Sequence, residues 1–555
     1  MRDRGVGVTT ISELLRSRAD DDNTALLFKD QAWSYREFIQ ACSARANYLL
    51  DHRLDGPLHV GVLLENVPEY PLWLGAAALA GAVIVGINPT RRGADLARDI
   101  KHTDCQMIVT EQRYRGDLAA LELELPAQRI LDIDSDHYAR ELRAYAGSAL
   151  PSVTVREKDT FLLIFTSGTS GAPKACICSQ GRLAAIAGNM VDRCQLEAGD
   201  VLYQAMPMFH SNALMAAWAP ALAAGATSAL RRKFSASGFL SDVRKFGATY
   251  FNYVGKPLAF ILATPEQPDD ADNPLVRVFG NEAAETDRAA FERRFDCAVS
   301  DGYGSTEGGI GLAQDENTPP NALGRATEGV AVVDTETGKP CAVARFDAQG
   351  RLLNAGEAVG ELVSSRGAML FEGYWNNEQA TNQRVRNGFF CSGDLAYRDA
   401  DDMIYFAGRD SEWLRVDGEN IAVAPIERVI CRHPDVVLAC VYAVPDAVVG
   451  DNVMAALQLR EGAVFDPVEF LAFLRSQGDF GSKWMPRYIR IDEQLPVTQT
   501  NKIIKRELGR QRWHAKVPVW GQLERDGDYI VIDAERARLI DEVFEQRGRG
   551  QVLSL

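Results

Sequence analysis

Residues 161–174 read FLLIFTSGTSGAPK, and their types suit one kind of ligand. The apolar run 161–165 has the pattern of a buried strand. Thr166, Ser167, Gly168, Thr169, Ser170 and Gly171 then form a string of hydroxyls and glycines with almost no bulk. Glycines let a backbone turn tightly and gather several N–H groups around one anion. The hydroxyls add donors and Lys174 adds a mobile positive charge, so the loop suits a polyphosphate. A nucleotide P-loop places its lysine directly after glycine, at the start of a helix. Here Ala172 and Pro173 separate Gly171 from Lys174, so that motif fails. For SGTSG alone, a surface turn after a strand is the plain alternative.

A second cluster, DGYGSTEGG, spans residues 301–309. Tyr303 offers a flat face for adenine, Thr306 a hydroxyl for an α-phosphate, and Glu307 a carboxylate for Mg²⁺. The cluster follows a strand, where a ligand loop on an α/β sheet belongs. Together the two stretches resemble the signature motifs of the adenylate-forming superfamily: acyl-CoA synthetases, luciferases and peptide-synthetase adenylation domains. The resemblance runs over about residues 10–530, with five motifs in the family order.

The resemblance implies roles residue by residue. The 166–171 loop and Lys174 would hold the β- and γ-phosphates of ATP, and Thr166 and Glu307 the Mg²⁺. Gly280 and Asn281 match the adenine-pocket segment. Asp394 matches the acid that grips both ribose hydroxyls, a role natural to a carboxylate with two acceptor oxygens. Arg409 matches an arginine near the ribose, and Tyr405 or Phe406 a strand residue beside the nucleotide. Lys502, in the frame Pro496-x-Thr498-x-x-x-Lys502, matches the catalytic lysine, with Thr306 and Glu307 as its partners in adenylation. Its plain alternative is one basic residue among three, with Lys505 and Arg506, in a solvated segment. Ser411 matches the hinge, and Gly418 and Glu419 the turn that lines the channel for coenzyme A. His210, in MPMFHSNAL, reads from the residues alone as a cleft histidine or a capping histidine. The resemblance makes it a wall of the acyl pocket. Two departures stand out. Transport-protein-type and very-long-chain acyl-CoA synthetases, which this chain most resembles, read Gly-Asn-Gly-Leu-Arg where it reads Gly-Asn-Glu-Ala from Gly280. Asn501 stands where a glycine usually precedes the lysine.

These residues need a scaffold. Residues 24–34 read as a hairpin, 35–50 and 70–80 as helices, and 59–64 and 82–87 as strands, an alternation that predicts α/β layers. After the loop, 179–192 is helical, 201–205 is a strand, and 211–223 is a helix of small apolar residues. Strands at 250–254, 275–279 and 298–301 alternate with helices at 239–246 and 286–295. From 328 onward, short β-like pieces at 330–334, 338–346 and 360–364 predict a small antiparallel sheet or distorted barrel. The resemblance implies a large N-terminal domain over 1–409, of layered α/β subdomains plus that barrel. A small mobile α+β domain would take 410–555. Within it, Asp466 suits a helix cap and Pro467 the first helical position. The tail 534–546 is amphipathic, with Leu539, Ile540, Val543 and Phe544 apolar.

The bulk properties bound the reading. With 555 residues the chain exceeds one core. Its composition, 46% hydrophobic and 25% charged, is that of an ordinary soluble protein. A net charge of −16 repels a nucleic-acid backbone. Ten cysteines include one close pair, Cys176 and Cys178, and no second pair, so reduced buried thiols are expected rather than a metal site. That fits a cytoplasmic protein. Peripheral contact with the inner membrane face and a homodimer remain open. The expected activity is an ATP-dependent ligase that joins a long apolar carboxylic acid to coenzyme A. The rivals are a steroid side-chain acid as substrate, transfer of the acyl group to a carrier protein, and a degenerate member that only binds ligands.

Overall fold

The computed structural model describes all residues except 1–8, 167–173, 316, 320, 349–351, 410–412, 417–418, 448–450, 479, 482, 499–502, 525–526, 548 and 555. Three sheets build the first 409 residues among those described. The largest has eight strands, in the order Gly311–Ala313, Ala298–Gly304, Arg277–Asn281, Tyr250–Val254, Val201–Gln204, Thr227–Leu230, Thr24–Phe28 and Gln31–Ser34. Its six inner strands are parallel and its two outer ones antiparallel. Parallel strands open their C-terminal ends to one side, where ligands of α/β proteins bind. A six-stranded sheet ends in Thr160–Thr166 and Lys174–Ser179, which pair antiparallel.

The helix Glu69–Ala80 (EYPLWLGAAALA) has apolar residues on all faces, and Tyr70 to Ala80 are buried. A helix without a polar face belongs inside a core. The first helix, Ile11–Ser17, starts at a Thr10 cap with Glu13 closing a capping box.

The expected helix over 211–223 is not regular. One α-turn, Ser211–Ala213, leads into a π-helical turn, Leu214–Trp218, and then the α-helix Ala219–Ala224. Pro220 supplies the physical reason. A proline ring clashes with the carbonyl four residues back, here that of Ala216, and removes one N–H. The widened turn accommodates both, and the Ala216 carbonyl accepts instead from the Tyr250 hydroxyl at 2.8 Å.

The third sheet is antiparallel: Ala322–Arg325, Met403–Arg409, Phe389–Arg398, Gly360–Ser364 and Val330–Val333, with Val385–Arg386 on its side. This is the expected barrel-like sheet, except that 338–346 contributes only isolated bridges.

After residue 412 a hairpin, Trp413–Val416 with Glu419–Ala422, precedes a five-stranded mixed sheet beginning with Val436–Pro445. The helix Pro467–Ser476 is capped by Asp466, which accepts from the Val468 and Glu469 N–H groups. The tail helix Ala534–Gln546 docks through Ala537 and Phe544, with Phe544 against Trp513. Leu539 and Val543 face outward. Among the described residues no helix is long and apolar enough to cross a membrane, and all ten cysteines are free thiols.

Candidate active site

The strand Thr160–Thr166 runs into the glycine-rich loop, and Lys174 opens the returning strand opposite Thr166. A lysine on a strand, not a helix, agrees with the failure of the P-loop pattern. Ser167, Gly168, Thr169, Ser170 and Gly171 lie outside the described residues. Lys174 is buried, with its ammonium 5.4 Å from the centre of the Tyr374 ring. The Tyr374 hydroxyl donates to Glu307 Oε1 at 2.7 Å and accepts from Arg384 Nε at 3.1 Å. Arg384 also comes within 4.0 Å of Glu307. Backbone bonds sew 373–375 to the lysine strand: Ile177 N to the Gly373 carbonyl at 3.0 Å, Trp375 N to that of Ala175 at 2.8 Å. The fold thus brings Lys174, Glu307, Tyr374 and Arg384 into one cluster. Burial pushes the Lys174 ammonium below its ordinary pKa; the Arg384 charge adds to this and Glu307 opposes it.

Next to this cluster, Tyr303 donates its hydroxyl to Asp394 Oδ2 at 2.5 Å. Asp394 faces Arg409 in the register of the antiparallel sheet. Asn281 donates to the Gly302 carbonyl, which ties the end of the Arg277–Asn281 strand to the Tyr303 strand. Gly280 is required here: a Cβ would sit 2.5 Å from the Tyr253 ring. Tyr253 in turn donates to Asp301, whose other oxygen accepts from the Ala283 N–H at 3.1 Å. Burial raises the Asp301 pKa, against the pull of these bonds. Glu282 has φ +72°, a conformation that favours glycine. The resembled synthetases read glycine there, so the departure falls on a strained residue of the pocket loop.

Thr306 closes the floor. Its hydroxyl lies 2.8 Å from Ser211 Oγ, and its carbonyl accepts from Arg182 at 2.5 Å. His210 immediately precedes Ser211, at the cap position of the short helical turn. Its ring packs on Phe209 at 4.5 Å between centres. His210 holds the cap position, yet its side chain makes no cap hydrogen bond to that turn.

Tyr405 is not joined to this group. Its hydroxyl donates to Asp399 at 3.0 Å and its ring stacks on Tyr397 at 5.1 Å. Lys502, Ser411 and Gly418 lie outside the described residues, and of Arg409 and Glu419 only the strand backbone is described. Among the described residues no three His, Cys, Asp or Glu side chains gather as a metal cluster. The donor set still fits Mg²⁺, which keeps most of its waters and is commonly held by one or two carboxylates plus substrate phosphates. Glu307 supplies such a carboxylate beside the phosphate strand.

A family model described as AMP-binding enzyme matches residues 16–375, and one described as AMP-binding enzyme C-terminal domain matches residues 425–502. The chain belongs to the AMP-binding enzyme family. Among its relatives, the steroid-22-oyl-CoA synthetase of Rhodococcus jostii (strain RHA1) is 48% identical over 549 residues, covering 98% of this chain and 99% of that protein. The medium/long-chain-fatty-acid–CoA ligase FadD17 of Mycobacterium marinum is 47% identical over 513 residues, covering 92% and 98%. The anthranilate CoA ligase AuaEII, solved with anthranoyl-AMP, shares the fold with TM-score 0.77 at 21% identity, over 90% of this chain and 96% of that one.

In this AMP-binding enzyme, sequence reasoning missed Tyr374, Arg384, Arg182 and Ser211. Tyr374 had a signal, because it lies in the glycine-rich stretch SRGAMLFEGYWN that also resembles a family motif. Ser211 had only its position next to His210. Arg384 and Arg182 had none, since each reaches the site from a helix by a long side chain.

Proposed function

We propose that this chain is an ATP-dependent acyl-CoA ligase acting on a large apolar carboxylic acid, either a long-chain fatty acid or a steroid side-chain acid. The observation that carries the reading is the single cluster of Lys174, Glu307, Tyr374 and Arg384 beside the Tyr303–Asp394 pair. Such a grouping of cations, a carboxylate and a ribose-type acceptor supports the reading, because the phosphates, metal and nucleoside of ATP call for those groups. The names of the two close relatives support the substrate class.

In the first step the substrate carboxylate attacks the α-phosphorus and pyrophosphate leaves, giving an acyl-adenylate. Lys174 holds the departing phosphates. Thr306 and Ser211 present hydroxyls at the junction of nucleotide and acid. Lys502, from the 410–555 domain, bridges the charge that develops on carboxylate and α-phosphate. Glu307 and Thr166 would hold Mg²⁺, whose charge would offset that of the phosphates. The small domain then turns about Ser411 and brings the Gly418–Glu419 face to the site. The thiolate of coenzyme A attacks the adenylate carbonyl, and AMP leaves. His210 serves as a wall of the acyl pocket.

A carboxylate panel assayed for AMP release, with and without coenzyme A, tests the reading. AMP release should require the thiol for turnover and rise from acetate to dodecanoate or a steroid acid. Equal activity with acetate sinks the substrate class, and AMP release without acyl-CoA formation sinks the ligase.

A further inference from the structure

The acyl side of the site holds a polar feature that the ligase reading leaves unused. The Tyr250–Val254 and Val201–Gln204 strands turn one face toward the π-helical turn Leu214–Trp218, as the Tyr250 hydroxyl on the Ala216 carbonyl shows. Asn252 lies two residues after Tyr250 and shares that face. It is fully buried, at 0% exposure. Leu202 pairs with Tyr250, so Gln204, at 1% exposure, lies on the same face.

The amide orientations follow from the bonds. Asn212 Nδ2 donates to the Tyr253 carbonyl at 3.0 Å. A backbone carbonyl only accepts, so Asn212 presents its oxygen the other way, and Asn252 Nδ2 donates to it at 2.7 Å. This leaves Asn252 Oδ1 as an acceptor with no donor among the described residues. Gln204 Oε1 has none either, while its Nε2 meets Ser228 Oγ at 2.8 Å. A serine hydroxyl can donate or accept, so Gln204 can present oxygen or N–H. Only Asn252 is fixed as an acceptor.

Buried acceptors are normally satisfied, and each exception asks for an explanation. The place of this one is informative. Asn212 is the neighbour of Ser211, whose hydroxyl meets Thr306. The orphan oxygen therefore lies one side chain beyond the Ser211–Thr306 contact, facing a π-turn of a kind that recurs at functional sites. On the ligase reading, Thr306 and Ser211 stand where nucleotide and acid join, and the hydrocarbon of the acid runs from there past the turn that follows Ser211.

We propose that Asn252 Oδ1 accepts a hydrogen bond from a hydroxyl on the hydrocarbon body of the substrate, so that the enzyme selects hydroxylated apolar acids over their deoxy and keto counterparts. The proposal rests on the ligase reading above. A ketone supplies no proton, so it gains nothing at a fixed acceptor. A site built around a substrate hydroxyl discriminates against an analogue lacking it, because the buried group is then left unpaired.

The test uses the full-length wild-type protein with ATP and coenzyme A. Lithocholic acid, its keto derivative and unsubstituted cholanic acid form one matched set; octadecanoic acid and its mid-chain hydroxylated derivatives form another. For at least one set, kcat/KM should be about tenfold or more higher for the hydroxylated acid, with the keto acid no better than the deoxy acid. Asn252→Leu should bring that ratio to about one, a readout that general damage to the fold would not produce. Asn252→Val, smaller and likewise without an acceptor, is the second variant if leucine prevents folding. Equal kcat/KM within every matched set of wild type overturns the proposal and leaves the ligase reading intact, with a buried water as the partner of Asn252. A preference that survives in the variants also overturns it. No AMP release with any acid overturns the ligase reading and the proposal with it.

Discussion

In the proposed site, the nucleotide wall and the acyl wall meet at Thr306 and Ser211, and they are built in opposite ways. The nucleotide wall pairs its charges before a ligand arrives: Glu307 with Tyr374 and Arg384, and Asp394 with Tyr303. A charged ligand then exchanges one set of strong bonds for another, in a geometry already set. The acyl wall holds neutral amides, Asn212 and Asn252, joined to each other in an apolar setting. A hydrocarbon brings no polar group to exchange, so a polar atom on that wall is either satisfied internally or waits for something specific. On the proposed reading, the constant part of the substrate is held by charge, and the variable part by shape with a few fixed dipoles.

If that division is right, the largest losses come from removing charge at the nucleotide wall. Lys502→Ala should lower ATP–pyrophosphate exchange by about 10²–10³, the effect of losing one well-placed donor to developing charge. The same variant, supplied with presynthesised acyl-adenylate, should form acyl-CoA at near wild-type rate, because in the proposed mechanism the lysine serves only the first step. An equal loss in both assays would break the account of a domain that alternates between two faces.

A tenfold or greater loss of ATP affinity is expected for Asp394→Ala, since an unpaired polar group costs about 1–3 kcal/mol. Tyr303→Phe frees the acceptor Oδ2 without removing the carboxylate. Its effect on ATP affinity, read by calorimetry, should be smaller. Unchanged ATP binding in Asp394→Ala would remove the carboxylate from the ribose, and with it the claim that the wall is pre-paired for a nucleotide.

The same contrast explains what the sequence revealed. The stretches 161–174 and 301–309 stood out because several residues able to do chemistry are neighbours in the chain where a strand ends. The sheets were legible too, since period and turn chemistry set them locally. Tyr374 and Arg384 were not, because they reach Glu307 only after the barrel-like sheet has folded against the lysine strand. The acyl wall was least legible. Asn212 and Asn252 are 40 positions apart, and nothing in either stretch marks them as partners. The π-turn at Leu214–Trp218 escaped a helical reading, although Pro220 pointed to a break. Tyr405 bonds to Asp399, a partner six positions away on the same hairpin that the motif match did not indicate.

A more modest effect is expected in the pH profile of ATP capture. Lys174 has its pKa lowered, chiefly by burial. A lysine binds phosphate only as the cation, and the cation is lost as pH rises through the folded-state value. That value lies below the ordinary lysine range, so kcat/KM for ATP should fall on the alkaline side earlier than a solvent-exposed lysine would allow. Arginine stays charged throughout. Lys174→Arg should lower kcat/KM at neutral pH through altered geometry, yet move the alkaline limb upward. An alkaline limb that stays in place would assign it to another group.

The smallest effect concerns Lys505, three residues from Lys502 and, by sequence, one more solvated charge. The structure corrects that expectation. Lys505 Nζ lies 3.0 Å from Glu427 Oε1, with both side chains about a quarter exposed (26% and 24%). The same Glu427 oxygen accepts from the Val441 N–H at 2.8 Å. The pair thus ties the helix Lys505–Gln511 to the helix Val423–Ile430 and to the first strand of the five-stranded sheet. Removing the lysine leaves Glu427 its backbone donor and access to water, so no charge is stranded. A part-exposed pair of this kind contributes at most about 1 kcal/mol. Lys505→Ala should therefore shift the urea unfolding of the full-length protein by no more than that. Glu427→Ala should do more, because the Val441 N–H loses its acceptor as well. Pyrophosphate exchange should be unchanged in Lys505→Ala. A loss of exchange comparable to that of Lys502→Ala would move the catalytic charge three residues along the chain, and the motif match that singles out Lys502 would be the thing that failed.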